Sequence, residues 1–306
     1  MTSAGAPAGP ATGAPVIDSH QHFWDLTAHD QPWLASDPEL APLLRNFTLA
    51  DLAPLAAAEG VTATVVVQTV AEPWETPELL TLAARSGLVA GVVGWVDLTG
   101  PDVADVIAEL RERPGGGRLA GVRHPVLAEP DPDWLAGPAV LRGLAAVAAA
   151  GLACDVVGAP RHLPAAVTAA ARLPQLRFVL DHLGNPEMAP GASPAASQPW
   201  ASAFTRFAAL PNTTAKLSGI LGIPPPPGMS PAATPGDLSH IRRYYDFALH
   251  AFGPSRLMFG SDWPPCTLEA TYAQVCAAAR TLTADLSAAE QHAIFSGTAR
   301  TTYRLP

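Results

Sequence analysis

Residues 176–184 read LRFVLDHLG, and this stretch decides how the chain is expected to fold. Its apolar part is near-continuous where a half-exposed strand would alternate. That pattern marks a strand buried on both faces, as in a parallel sheet covered by helices. Seven further runs share the design: VIDSHQH from Val16, VTATVVVQ from Val61, LVAGVVGWVDL from Leu88, LAGVRHPV from Leu119, LACDVV from Leu152, TTAKLSGI from Thr213 and RLMFGSDW from Arg256. Each is followed by an Ala/Leu-rich amphipathic stretch. Eight βα units without a break in composition predict an α/β protein, a single closed (β/α)8 TIM barrel over residues 16–306. A doubly wound open sheet is the second choice.

The bulk numbers agree with one barrel. The chain has 306 residues, 48% hydrophobic and only 15% charged, enough for a large core. A formal net charge of −9 argues against a nucleic-acid partner, which calls for a basic stripe. Cys154, Cys266 and Cys276 lie far apart with no CxxC pair, which gives no disulfide framework and suits a reducing compartment. Residues 1–15, MTSAGAPAGPATGAP, lack the basic and apolar parts of a signal peptide and read as a disordered tail. No apolar run reaches the roughly 18 residues of a membrane span. The expectation is a cytoplasmic protein with a small-molecule partner, no nucleic acid and no membrane; the oligomeric state is left open.

Three connections are longer than a barrel needs: residues 23–47, 185–199 and 221–236. All follow strands and so belong to the face where barrel active sites sit. Helix ends are signalled by Thr48 with Asp51 as a capping box, by Gly60 as a stop, and by Thr76 as an N-cap before Pro77.

The residues able to do chemistry gather at strand ends. His20 and His22 are two apart on the first strand, so both imidazoles face one space, as two metal ligands or as paired donors around a carbonyl. His182 and Asp262 each follow an apolar run, where an ionisable group without a task is costly. Taken singly, His182 could be a bonded core histidine and Asp262 a helix N-cap; their joint placement favours a site. Arg123 offers a fixed fork of donors suited to a carbonyl or hydroxyl pair. Gln68, ending strand two, could bond a substrate hydroxyl. Lys216 is the only lysine in the chain and serves either the site's electrostatics or an ion pair at the barrel wall. Of the aromatics near strand ends (Phe23, Trp24, Trp74, Trp95 and Trp263), Trp24 and Trp263 are taken as pocket-lining because they adjoin the candidate site. No GxSxG, GxGxxG or P-loop pattern occurs, which disfavours a serine nucleophile and nucleotide cofactors.

At these residues the chain resembles the amidohydrolase superfamily, and within it the branch of sugar-lactone hydrolases that includes L-fuconolactonase and L-rhamnonolactonase. IDSHQHFWD, GVRHPV, PDPDWLAGPAVLRGL, PRHLPAA, RFVLDHLGNP, AKLSGI, RLMFGSDWPPC and IFSGTARTTYRL carry the likeness, from about Val16 to Leu305. The resemblance implies a distorted barrel with His20, His22, His182 and Asp262 around the reaction centre and Arg123 polarising a lactone. Strand four offers Arg123 where metal-rich members supply a bridging lysine or acid, and strand five lacks their usual histidine. The resemblance thus implies one zinc-like divalent ion on His20, His22 and Asp262, or catalysis without metal.

The expected reaction is water attack on a lactone carbonyl, with Asp262 as general base and the histidines and Arg123 stabilising the oxyanion. Two rivals stand beside it. A decarboxylase of an aromatic or muconate-type acid needs several cations for a carboxylate, and Arg123, Lys216 and Arg161 are the few on offer. A non-catalytic sugar-acid binding barrel is motivated by the incomplete metal set.

Overall fold

The computed structural model describes residues 15–186, 198–219 and 238–306. Eight parallel strands run in the order β1 to β8: Val16–Gln21, Val61–Val67, Val89–Gly94, Leu119–Pro125, Ala153–Val157, Arg177–Leu180, Thr213–Leu217 and Leu257–Phe259. A helix follows each: α1 (Leu49–Ala58), α2 (Glu75–Arg85), α3 (Val103–Glu112), α4 (Pro138–Ala149), α5 (Leu163–Arg172), α6 (Gln198–Ala208), α7 (Ser239–Phe252) and α8 (Tyr272–Leu282). Two short helices, α9 (Ala288–His292) and α10 (Thr298–Tyr303), end the chain. The expected tail lies outside the described residues except for Pro15, as do most of 185–199 and all of 221–236.

The ring closes where β1 meets the segment after β8. The amide of Asp262 donates to the His20 carbonyl at 2.8 Å, and that of His22 to the Trp263 carbonyl at 2.8 Å. Ser19 Oγ adds a bond to the Phe259 carbonyl at 2.6 Å. The result is a (β/α)8 barrel in a single domain. Two apolar layers hold it. One lies between strands and helices; the other fills the barrel with Ile17, Val65, Val67, Val93, Ala153, Val179 and Met258, joined by Tyr303 and Leu305 from the chain's end.

β1 carries the feature that aims the site. Asp18 pairs with Thr64 and Gln21 with Val66, so three steps on β1 face two on β2. This extra residue is a β-bulge. Ile17 points into the barrel and Asp18 outward, where its carboxylate accepts from the Tyr272 hydroxyl at 3.1 Å. Unbroken alternation would then turn residue 20 outward. The bulge resets the phase and sends His20 and His22 inward together.

Two helix ends compare differently with expectation. Asp51 accepts the Thr48 amide at 2.8 Å, as the capping box requires, and Gly60 stops α1 at φ 68°. Thr76 is not the N-cap of α2, which starts one residue earlier at Glu75. The Thr76 hydroxyl is instead drawn to the Trp95 backbone, accepting its amide at 2.7 Å.

Candidate active site

The C-terminal ends of β1, β4, β6, β7 and β8 bring His20, His22, Arg123, His182, Lys216 and Asp262 together. His20 Nε2 and His22 Nε2 lie 3.1 Å apart. Asp262 Oδ1 stands 3.7 Å from His20 Nε2, 3.5 Å from His22 Nε2 and 3.9 Å from His182 Nε2. One carboxylate oxygen is thus surrounded by three imidazole nitrogens. Burial by itself would raise the Asp262 pKa, but His182, His22 and His20 outweigh it and hold the carboxyl well below the usual range.

The backbone is bent to reach this arrangement. Asp262 sits at φ 58° and His182 at φ 52°, both left-handed. Non-glycine residues there store strain that the surroundings must overcome, a pattern common at functional sites. Glycines make room beside them. A Cβ on Gly260 would stand 2.7 Å from the His20 Cβ, and one on Gly219 2.6 Å from His182 Nδ1.

Each histidine is fixed by its other nitrogen. His22 Nδ1 donates to the Val67 carbonyl at 2.8 Å, leaving its Nε2 with a free lone pair in the neutral ring. His182 Nδ1 meets Ser218 Oγ at 2.9 Å. His20 Nδ1 lies 3.0 Å from Lys216 Nζ. Burial, followed by the charge of Lys216, pushes the His20 pKa well below its ordinary value, so the ring is neutral.

Beneath the histidines lies a buried charged layer. Lys216 Nζ donates to Asp155 Oδ2 at 2.5 Å and is 3.0 Å from Asp181 Oδ1. Arg123 Nη1 pairs with Asp181 Oδ2 at 3.1 Å, and its Nε and Nη2 donate to Gln68 Oε1 at 3.2 and 2.9 Å. Both alternatives for Lys216 therefore coincide: it sits in an ion pair inside the barrel and also touches a site histidine.

The four residues expected to contact substrate are each engaged within the protein. Lys216 is fully buried with its ammonium engaged, so it has no donor turned toward a ligand. Gln68 is fully buried and its carbonyl is occupied by Arg123, which makes it a support for that side chain. Trp24 packs edge-on against Trp33 and Phe47 and gives its indole N–H to the Arg45 carbonyl at 2.8 Å. Trp263 is buried against Phe23 and Phe47. Two of the three aromatics set aside earlier are left half-exposed: Trp74, stacked on His29, and Trp95, which donates to His124 Nδ1 at 3.1 Å.

Asp155, Asp181 and Ser218 were not singled out from the sequence. The signal for Asp155 was available, because an acid inside the apolar run LACDVV needs a buried cation. Asp181 was overshadowed by its neighbour His182. Ser218 carries no signal at all until the β6 and β7 ends are placed side by side.

The amidohydrolase sequence profile matches residues 17–305. The chain belongs to the amidohydrolase family. An L-fucono-1,5-lactonase of Burkholderia multivorans is 39% identical over 297 residues, covering 96% of this chain and 97% of that protein. A second L-fucono-1,5-lactonase, from Burkholderia ambifaria, is 39% identical over 81% of this chain and 80% of its own length. A crystal structure of a Burkholderia multivorans amidohydrolase with bound zinc superposes with a TM-score of 0.85 at 38% identity, covering 96% of this amidohydrolase and 100% of that chain.

The donor atoms of this amidohydrolase fit one divalent ion. His20, His182 and Asp262 place ligand atoms within 4.8 Å of one another. Around a tetrahedral zinc, with ligand bonds near 2.0–2.2 Å, ligand atoms sit roughly 3.3 Å apart. The 3.1, 3.5 and 3.7 Å separations among His20, His22 and Asp262 lie close to that. Asp262 and His22 also present lone pairs without losing a proton.

Proposed function

We propose that this amidohydrolase opens a small sugar-acid lactone of the L-fucono- or L-rhamnono-lactone type by water attack at the C-terminal mouth of the barrel. The observation that carries the reading is a single ionised carboxylate, Asp262, ringed by three imidazoles and backed by Arg123. The Burkholderia lactonases, 39% identical, give the substrate class.

The chemistry follows from the geometry. Asp262 accepts a proton from water as the water oxygen bonds to the lactone carbonyl carbon. Negative charge then develops on the carbonyl oxygen, where His20, His182 and Arg123 oppose it with preorganised donors in a water-poor site. The intermediate collapses, the ring C–O bond breaks, and the proton taken up by Asp262 goes to the departing ring oxygen. Water and lactone are consumed and one hydroxy acid is formed. Were a zinc-like ion bound, His20, His22, His182 and Asp262 would hold it, and it would supply Lewis-acid polarisation of the carbonyl in place of the imidazole donors.

Decarboxylation fits less well. It needs several cations free to hold a carboxylate, and Lys216 is spent inside the protein on Asp155 and Asp181. A panel of aldonolactones followed with a pH indicator, with and without chelator, tests the assignment. Acid release on lactone addition is expected. Asp262→Asn keeps the shape and tolerates the left-handed backbone. It should lower kcat/KM by at least about 100-fold. A rate unchanged in that variant removes Asp262 from the mechanism, and ligand binding without acid release by the wild type favours a non-catalytic binder.

A further inference from the structure

The end of the barrel opposite the candidate active site holds an unmatched cluster of cations. A cavity of about 190 Å³ opens there, beside the starts of β3, β4 and β5. Arg111, Arg118 and Arg304 line it, with Gly151, Tyr303 and Pro306. The three arginines come from distant parts of the chain: the last turn of α3, the entry to β4 and the residue after α10. A fourth, Arg177 at the start of β6, reaches the same turn at Gly151.

Backbone carbonyls hold three of the four in place. Arg111 Nη2 donates to Ala150 at 2.5 Å, Arg177 Nη2 to Gly151 at 2.6 Å and Arg118 Nη1 to Ala90 at 3.4 Å. A guanidinium has five N–H donors, so each keeps others to spare. The Arg304 side chain makes no hydrogen bond among the described residues, and its backbone is left-handed at φ 53°. Its Nη1 takes the space a side chain at 151 would fill: a Cβ on Gly151 would stand 2.7 Å away. Like charges gathered around residues 150 and 151 repel unless an anion lies between them. Arg123, Arg242 and Arg280 are paired with carboxylates; none of these four is, among the described residues. The oxygen of Pro306 accepts from Arg300, which is not one of the four. Burial, and after it the charge of Arg304, pushes the Arg177 pKa below its ordinary value. The chain carries 27 acids against 18 Lys and Arg, so this cluster is not part of a generally basic surface.

We propose that this cavity is a second binding site, taking a small multiply charged oxyanion of the phosphate class. Planar guanidinium forks match the oxygens of such a group and bind them through paired N–H donors. The space suffices, since a water needs only about 10–15 Å³ of it. A neutral sugar lactone has no charge to offer these cations. The ligand is therefore a different molecule from the one at the opposite mouth, and the site is independent of the lactone-opening reading.

Isothermal titration calorimetry with inorganic phosphate, against chloride at matched ionic strength, measures the site. A Kd below about 1 mM is expected. Arg304→Gln should weaken it at least about tenfold, and Arg118→Gln with Arg304→Gln further still. Glucose 6-phosphate binding more tightly than phosphate would identify the ligand as a phosphate ester; equal binding would identify it as the free ion. Thermal melting gives a second readout. Phosphate at about a hundredfold excess over Kd should raise the wild-type Tm by about 5 °C. Without phosphate, Arg304→Gln should melt no lower than the wild type, because it removes a repulsion and no hydrogen bond. A purely structural role for these arginines predicts a lower Tm with and without phosphate, and that result overturns the proposal. So does a phosphate affinity no greater than that for chloride, as for a cluster the chain already neutralises. Wild-type affinity in both variants overturns it too, since it would place the anion elsewhere, as at Arg123.

Discussion

Asp262 and His182 both occupy left-handed backbone, at φ 58° and 52°, and neither is a glycine. Such positions persist only where neighbours enforce them. Gly219 is one of the enforcers: it sits at φ 69° itself and passes within Cβ distance of His182 Nδ1. Gly219→Ala should cost about 1–2 kcal/mol from the backbone alone. It should also displace the His182 ring from Ser218, lowering kcat by more than tenfold. Thermal melting and the lactone assay on one preparation check both effects; a lowered Tm with full kcat would mean that His182 tolerates the shift. His20, His22, His182 and Asp262 were legible as site candidates because each interrupts the end of an apolar run. Asp155 and Asp181 were not, since what ties them to the site is a cation contributed by another strand. Trp24 and Trp263 are buried against other aromatics, because adjacency in sequence to a site residue places a side chain on the other face of the strand as readily as in the pocket.

The strands were the most legible elements. Near-continuous apolar runs mark all eight, and the observed starts fall within one residue of the runs read from the sequence. The bulge in β1 was invisible because it is a property of pairing with β2 and leaves no trace in hydrophobic order. The start of α2 was missed because Thr76 is a good cap by type, yet the N-cap is Trp74 and the helix opens on Glu75, which is anchored to the loop before it. Its carboxylate takes the Thr69 and Val70 amides at 2.7 and 3.1 Å. Burial raises the Glu75 pKa to about 7. For an acid raised in the folded state, the native form binds more protons than the unfolded one, so its stabilisation is complete below the ordinary glutamate range and is lost as pH climbs through 7. The span from 4.5 to about 7 corresponds to about 3 kcal/mol at 1.36 kcal/mol per unit. Glu75→Gln should therefore match the wild type near pH 5 and gain on it toward pH 8, measured as Tm against pH. Parallel curves would show that Glu75 is ionised throughout.

Across the whole barrel, an apolar plug at one end supports a charged layer that in turn supports the site at the other. Within that layer Asp155 and Asp181 face Lys216 and Arg123, with Tyr303 below and His20 above. The layer takes the place of aliphatic packing, so its members cannot be removed one at a time. Lys216→Met leaves two buried carboxylates without their shared ammonium, a change that typically costs about 3–5 kcal/mol. The pH dependence distinguishes this from a simple packing defect. Burial already pushes Asp155 upward, and Lys216 is the main influence opposing it. Without Lys216 the protonated carboxyl is favoured in the folded barrel, so the variant should be least handicapped at low pH and progressively worse as pH rises through the folded-state pKa. Adding Asp155→Asn to Lys216→Met should restore part of the loss at pH 8 and little at pH 5, because the amide removes the charge that has lost its partner. Urea unfolding of the four proteins at both pH values measures this directly. Equal destabilisation at pH 5 and pH 8 would show that the lysine contributes bulk to the barrel and no charge balance.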